Sequence, residues 1–313
     1  MTVLRLLALL MTMTLFSNIL SAQTPEDAFN KDPWPAATEG PLKVFILSGQ
    51  SNMQGHAAVR TLEHLIYNEE TAEQYQQWKD RDGRWTSRSD VWVWTTDGER
   101  SGNLTPGFGV SDIKMGPELG FGWALGEYMD EQVLLIKTCW GGKNVKRDFL
   151  SPGSPMPSEE QLQEELTNAR NKDPETTMED IKNRYGFYYR LMLQHANEVL
   201  ADLPTHFPDY NEERGYELAG LVFFQGWNDM VDGAQREENY ANYTTRLAQL
   251  VRDVRTDLDA PDLPVVIGEL GANGKRGAFQ LAQAAVADIP EFVGNVAFTP
   301  TCEYWEPEVE ELV

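Results

Sequence analysis

Five short apolar runs, separated by stretches long enough for helices, constrain this chain more than any other feature. The runs cover residues 43–48, 132–138, 218–224, 264–268 and 295–298, each rich in Val, Ile, Leu or Phe. Between them the spacing of apolar residues predicts helices over 116–129, 158–169, 178–203, 235–258 and 276–287. Strands that lack a polar alternation are buried on both faces, so this order predicts a parallel sheet with helices packed against each side. The stretch 58–114 interrupts the pattern. Its Asp90-Val91-Trp92-Val93-Trp94 and scattered Gly and Asp read as an excursion with an extra strand or hairpin.

At 313 residues, with 41% hydrophobic and 24% charged, the chain can build one large α/β domain with a proper core. Its net charge of -23 repels nucleic acid and anionic membrane surfaces, and neither is an expected partner. Residues 1–22 read as a signal peptide: Arg5, an apolar run from Leu6 to Phe16, then Leu20-Ser21-Ala22 with the small residue a signal peptidase accepts. The run falls short of the roughly 20 apolar residues a spanning helix needs. The expected location is therefore secreted or periplasmic, with no membrane contact once the signal is removed. Residues 23–41, with Asp32-Pro33-Trp34-Pro35, read as an irregular lead-in, and the domain is expected over 42–313. Cys139 and Cys302 do not make a disulfide scaffold, and the spacing of His56, His64, His195 and His206 matches no metal motif.

In a sheet of this kind ligands sit outside the carboxyl ends of the strands, and three of those ends carry polar loops. After the first run come Gly49-Gln50-Ser51-Asn52, small and polar; a serine hydroxyl on such a turn is exposed for attack beside open backbone N–H groups. Turn formation or helix capping is the competing reading of the same serine. After the second run comes Cys139-Trp140-Gly141-Gly142-Lys143-Asn144, whose glycine pair lets the backbone approach a ligand. After the third comes Gln225-Gly226-Trp227-Asn228-Asp229, with amides able to donate to a developing negative charge. Trp140 and Trp227 could carry a sugar ring or serve as packing residues.

Gly-Gln-Ser-Asn-Met, then Trp-Gly-Gly, then Gln-Gly-Trp-Asn-Asp, in this order over roughly 42–301, resemble the sialate O-acetylesterase domain, related to carbohydrate esterase family 6 in the SGNH hydrolase superfamily. The resemblance implies a flavodoxin-like three-layer α/β/α fold with a five-stranded parallel sheet and no cofactor. It also implies removal of acetyl groups from carbohydrate hydroxyls, so that the partner is an acetylated carbohydrate. It assigns Ser51 as nucleophile, with the N–H of Ser51 and of Gly141 or Gly142 in the oxyanion hole and Gln225 and Asn228 as side-chain donors. Gln50, Asn52, His56, Trp140 and Trp227 are the remaining pocket candidates.

A serine hydroxyl needs an adjacent base, usually histidine. The family supplies it from a loop after the last strand, whereas this sequence has no histidine after His206. His195 lies in a helical pattern, His206 in a loop before the third run and hence at the opposite sheet edge, and His56 is close to Ser51 in sequence but tightly tethered. His64 reads as a surface residue. The expectation is a domain incomplete at its C-terminus, with the catalytic His encoded beyond Val313. The alternative is a carbohydrate-binding or degenerate hydrolase-like module that keeps the pocket without turnover.

Overall fold

The protein is described by a computed structural model that covers residues 34–80, 82–96, 100–232, 236–271 and 274–305. The expected signal segment 1–22 and the acidic end 306–313 lie outside the described residues. All five apolar runs are strands: β1 (Leu42–Gly49), β4 (Val133–Cys139), β5 (Tyr216–Phe224), β6 (Val265–Gly268) and β7 (Val296–Thr299). They pair in parallel in the order β4-β1-β5-β6-β7, which is the flavodoxin-like order 2-1-3-4-5 of these runs.

The sheet has seven strands rather than five. The excursion supplies β2 (Arg88–Thr95), parallel to β4, and β3 (Ser101–Leu104), which pairs with β2 antiparallel and forms the edge. β2 reaches its register because Val91 and Val93 are fully buried against the sheet's neighbours. β3 reads Ser-Gly-Asn-Leu and carries no apolar pattern; edge pairing to β2 makes it a strand.

Both faces of the sheet are covered because successive strand residues point to opposite sides. Ile46, Leu221, Phe223, Val265 and Ile267 pack on one side, against helices α6 (Phe187–Ala201) and α8 (Arg236–Asp257). Phe45, Leu47, Val93, Leu135 and Val222 pack on the other, with α2 (Arg60–Tyr67) and α3 (Pro117–Tyr128). Each such side chain, fully withdrawn from water, contributes roughly 1.5–3 kcal/mol. The layers are those of a three-layer α/β/α fold.

The single helix expected over 178–203 is two: α5 (Met178–Arg184) and α6, separated by Tyr185 and Gly186. Gly186 has φ +69°, and a Cβ there would lie 2.4 Å from the Leu150 carbonyl oxygen, so the chain must turn rather than continue. Helix α4 (Glu159–Arg170) starts with a capping box between Ser158 and Gln161. Among the described residues no helix is long and apolar enough to cross a membrane.

Candidate active site

The register of the three central strands brings the three polar loops together. Gly49, the last residue of β1, is level with Cys139 in β4 and Phe224 in β5, so all three chains leave the sheet at one height. At Gly49 the backbone takes φ +151°, and a Cβ would lie 2.1 Å from the Phe224 carbonyl oxygen. Only glycine lets the chain pass so close and turn immediately into α1 (Ser51–Gln54). Ser51 is thus the first residue of a one-turn helix at the carboxyl edge of the sheet. It is partly exposed and lines a cleft of about 610 Å³ with Asn52, His56 and Phe224.

The loops are joined by side chains. Gln50 is buried, and its Oε1 accepts from Gln225 Nε2 at 3.1 Å and from the N–H groups of Gly226 and Asn228 at 3.3 and 3.4 Å. Its Nε2 lies 3.5 Å from Ser51 Oγ. The Trp140 N–H donates to the Gly49 carbonyl at 3.1 Å, tying the Trp-Gly-Gly turn to the end of β1. Among the described residues the N–H groups of Ser51, Gly141 and Gly142 have no acceptor. For Ser51 this is the ordinary consequence of starting a helix. These N–H groups, with the partly exposed Asn228 amide, are the donors a developing oxyanion at this edge could use.

Gln225 has a different place from the one the resemblance implies. It is buried, and its Nε2 faces Gln50 Oε1, the Lys143 carbonyl at 3.0 Å and Asp229 Oδ2 at 2.7 Å. Its Oε1 accepts from Tyr243 Oη, and its carbonyl from Gln283 Nε2. The amide therefore holds the three loops together from beneath. Asp229 also accepts from the Val145 N–H at 2.9 Å, which secures the second loop to the third. Burial pushes the Asp229 carboxyl above the usual range, against the pull of Val145, Gln225 and Lys146.

A second buried device lies beside Ser51. Lys137, in the apolar strand β4, directs Nζ to the carbonyls of Gln54 (2.7 Å) and Phe108 (2.6 Å) and to Glu118 Oε2 (2.7 Å). It thereby ties the end of α1 to the start of α3. The sequence does contain a signal, since a lysine in a run buried on both faces must find partners, but nothing in it names Glu118.

Trp140 packs against Phe149, Tyr188 and His195, the last stacked at 6.1 Å, so packing is the contact it makes. Trp227 stands 48% exposed beside Asn228 and is open to a ligand. His195 and Trp140 line a separate cavity of about 410 Å³ with Gln54 and Thr96. His206 lies on the Leu203–His206 turn before β5, near Trp94, and His64 is exposed. His56 shares the Ser51 cleft. Among the described residues no histidine is hydrogen-bonded to Ser51 Oγ. Cys139 ends β4 and Cys302 follows β7, strands four steps apart in the sheet, about 19 Å at the usual strand spacing and too far for the two to be joined to one another.

A parallel sheet covered on both faces, with polar loops gathered at its carboxyl edge and a serine at the foremost, defines a three-layer α/β/α protein of the flavodoxin-like class. The sequence pattern of one family, carbohydrate esterase, sialic acid-specific acetylesterase, matches residues 41–301, and the chain belongs to that family. Among solved structures, a protein from Arabidopsis thaliana is similar in fold, with a TM-score of 0.50 at 17% identity over 83% of this chain and 85% of that one. A carbohydrate acetylesterase from Xanthomonas citri gives 0.47 at 12% identity, covering 82% of this chain and 49% of that one, so this chain spans about half its length. NanS gives 0.45 at 13% identity over 83% and 78%. No curated protein sequence matches the chain.

Proposed function

We propose that the protein is an exported serine esterase that removes acetyl groups from carbohydrates, with Ser51 as nucleophile. The observation that carries this reading is the placement of Ser51 at the start of α1, open to a cleft and flanked by the unused N–H groups of Ser51, Gly141 and Gly142. Ser51 Oγ attacks the acetyl carbonyl carbon, and the N–H groups and Asn228 hold the oxyanion of the tetrahedral intermediate. The bond to the sugar oxygen then breaks as the proton lost by the Ser51 hydroxyl passes to that oxygen, so the sugar leaves as its free hydroxyl, and water then splits the acetyl-serine into acetate and the restored Ser51 hydroxyl. Gln225 acts through Gln50 as a positioning residue. Removing one oxyanion donor costs about 100- to 1,000-fold in rate.

The test has two parts. Hydrolysis of 4-nitrophenyl acetate and of an O-acetylated sugar is expected to vanish in Ser51→Ala. A serine-reactive organophosphate is expected to add its mass to the peptide that carries Ser51. Labelling elsewhere, or turnover that survives Ser51→Ala, removes Ser51 from the reaction.

A second reading is favoured by one feature: among the described residues no histidine meets Ser51 Oγ. A carbohydrate-binding module with an idle serine would bind an acetylated sugar to wild type and Ser51→Ala alike and turn over neither.

A further inference from the structure

The excursion between β1 and α3, which adds two strands to the sheet, also returns to the site at its base. There Ala57–Ala58 pairs antiparallel with Lys114–Met115, Ala57 opposite Met115. The ribbon is held on both sides, since the Val59 N–H donates to the Ile113 carbonyl at 3.0 Å and the Val110 N–H to the Gly55 carbonyl at 2.9 Å. It is therefore a fixed wall of the Ser51 cleft. Ala57, Met115 and Pro117 line that cleft from the ribbon side, and Phe224 lines it from the end of β5. None of these four side chains carries a hydrogen-bond donor. Besides Ser51 the cleft has two polar side chains, Asn52 and the exposed His56.

The apolar wall and the N–H donors lie on opposite sides of Ser51. Trp140, Val145 and Met230, from the second and third loops, pack into the core on the α6 and α8 side of the sheet, whereas Met53, Met115 and Phe224 pack into the core on the α2 and α3 side. An ester whose carbonyl oxygen points to Gly141, Gly142 and Asn228 thus turns another substituent of the same carbon into the cleft. That substituent is either the sugar oxygen or the acyl chain. Sugar hydroxyls would give up water against side chains that offer them no donor, whereas an alkyl chain has no hydrogen bond to lose and gains by leaving water. An acetyl group presents a single methyl group, too little to cover four apolar residues in a cleft of about 610 Å³. We propose that this wall is an acyl pocket with Met115 as its selecting residue, and that the enzyme takes acyl groups longer than acetyl, as far as butyryl. The bonds made and broken are those of acetyl transfer, and the water that splits the acyl-serine releases butyrate in place of acetate.

The inference rests on the esterase reading, because it deepens the acyl side of the same site, and its test is kept separate from turnover. Ser51→Ala holds an ester without splitting it. Binding of the 4-nitrophenyl esters of acetic, propionic and butyric acid to that variant is measured by calorimetry, the shared nitrophenyl group cancelling from the comparison. Each added CH₂ group that leaves water is expected to tighten binding about fourfold, and the butyrate is expected to bind roughly 15-fold more tightly than the acetate. Adding Met115→Gln, which keeps the length of the side chain and makes its end polar, is expected to remove most of that preference, and adding Met115→Leu is expected to keep it, both being checked for an unchanged unfolding midpoint. Ala57→Asn, across the ribbon from Met115, serves if the glutamine variant fails to fold. Binding that ignores chain length, acetate held more tightly than butyrate, a preference that survives the polar substitution, or no binding of any of the three each overturns the acyl pocket. The esterase reading stands or falls separately, on Ser51-dependent hydrolysis of 4-nitrophenyl acetate by the wild-type chain.

Discussion

Gln50 Oε1 lies 3.1 Å from Gln225 Nε2, and both side chains are buried, so the residue before Ser51 is held by the first residue after β5. The same Gln50 oxygen accepts two backbone N–H groups of the third loop. A change at Gln225 is therefore a change in where Ser51 stands.

Gln225→Leu keeps the volume and removes every side-chain bond. It leaves Asp229 and Tyr243 short of partners and frees the Ser51 turn to shift. A displacement of about 1 Å at a reacting group costs on the order of 100-fold in rate. The expected outcome is a fall of that size in kcat with a smaller change in KM, measured on 4-nitrophenyl acetate. An unchanged kcat would show that the turn holds its place without Gln225.

Lys137 and Glu118 are about as buried as side chains can be, with 2% and 1% of their side-chain surface exposed. Removing one partner of such a pair leaves an uncompensated charge and typically costs about 3–5 kcal/mol. Lys137→Met is expected to lose stability on that scale in denaturant unfolding, and adding Glu118→Gln is expected to recover part of it. Burial already pushes Glu118 above the usual carboxylate range, with Lys137 pulling the other way. Without the lysine that rise grows. A carboxyl whose folded pKa is raised stabilises fully only below its unfolded value, about 4.3, so the single variant loses stability as pH climbs above that point. A flat pH response would mean that Glu118 gains water when Lys137 is lost.

The five principal strands could be read from sequence because a strand buried on both faces must be apolar throughout, and no other element of that length is. β3 could not, because an edge strand of Ser-Gly-Asn-Leu owes its shape to β2 and not to its own side chains. The break before α6 was written only as one glycine in a helical pattern; the reason for it is the Leu150 carbonyl, remote in sequence. At the site the gathering of three loops was legible, since parallel strands end at one edge. The division of labour among the amides was not. Whether Gln225 faces a ligand or the protein depends on Asp229, Tyr243 and Gln283, and their convergence belongs to the folded chain alone.

Glu269, the residue after β6, is fully buried at the same edge. Its carboxylate accepts from Arg276 Nε at 2.6 Å and from the N–H groups of Thr301 and Cys302 at 2.7 and 3.1 Å. Burial works to raise its pKa, but these donors outweigh it and hold the group below the usual range. A carboxyl with a depressed folded pKa stabilises above its unfolded value and loses that contribution as pH falls through the folded one. Glu269→Gln is expected to lower stability by about 1–3 kcal/mol at neutral pH, the lower end for the half-exposed Arg276 contact, which solvent screens. The deficit relative to wild type is expected to shrink below about pH 4. Unfolding midpoints of the two proteins that stay equally far apart from pH 7 to pH 3 would contradict the assignment.

Gly49 and Gly186 separate the needs of the site from those of the fold. Both have positive φ, and at both a Cβ would run into a backbone carbonyl oxygen, Phe224 at 2.1 Å and Leu150 at 2.4 Å. Alanine in a left-handed conformation costs about 1–2 kcal/mol before any clash is counted, so both variants are expected to unfold more easily than wild type. Their effects on rate are expected to differ. The Phe224 carbonyl that Gly49→Ala would push away also accepts the Gln50 N–H, so that variant parts the first loop from the third where Ser51 is held. A kcat loss of about 100-fold follows from the displacement. Gly186→Ala distorts the turn before α6, which contributes no hydrogen bond to the Gln50, Ser51 and Gln225 set, and its folded fraction is expected to keep wild-type kcat. Measured below the unfolding temperature of both, equal kcat in the two variants would show that the close passage at Gly49 serves the sheet alone.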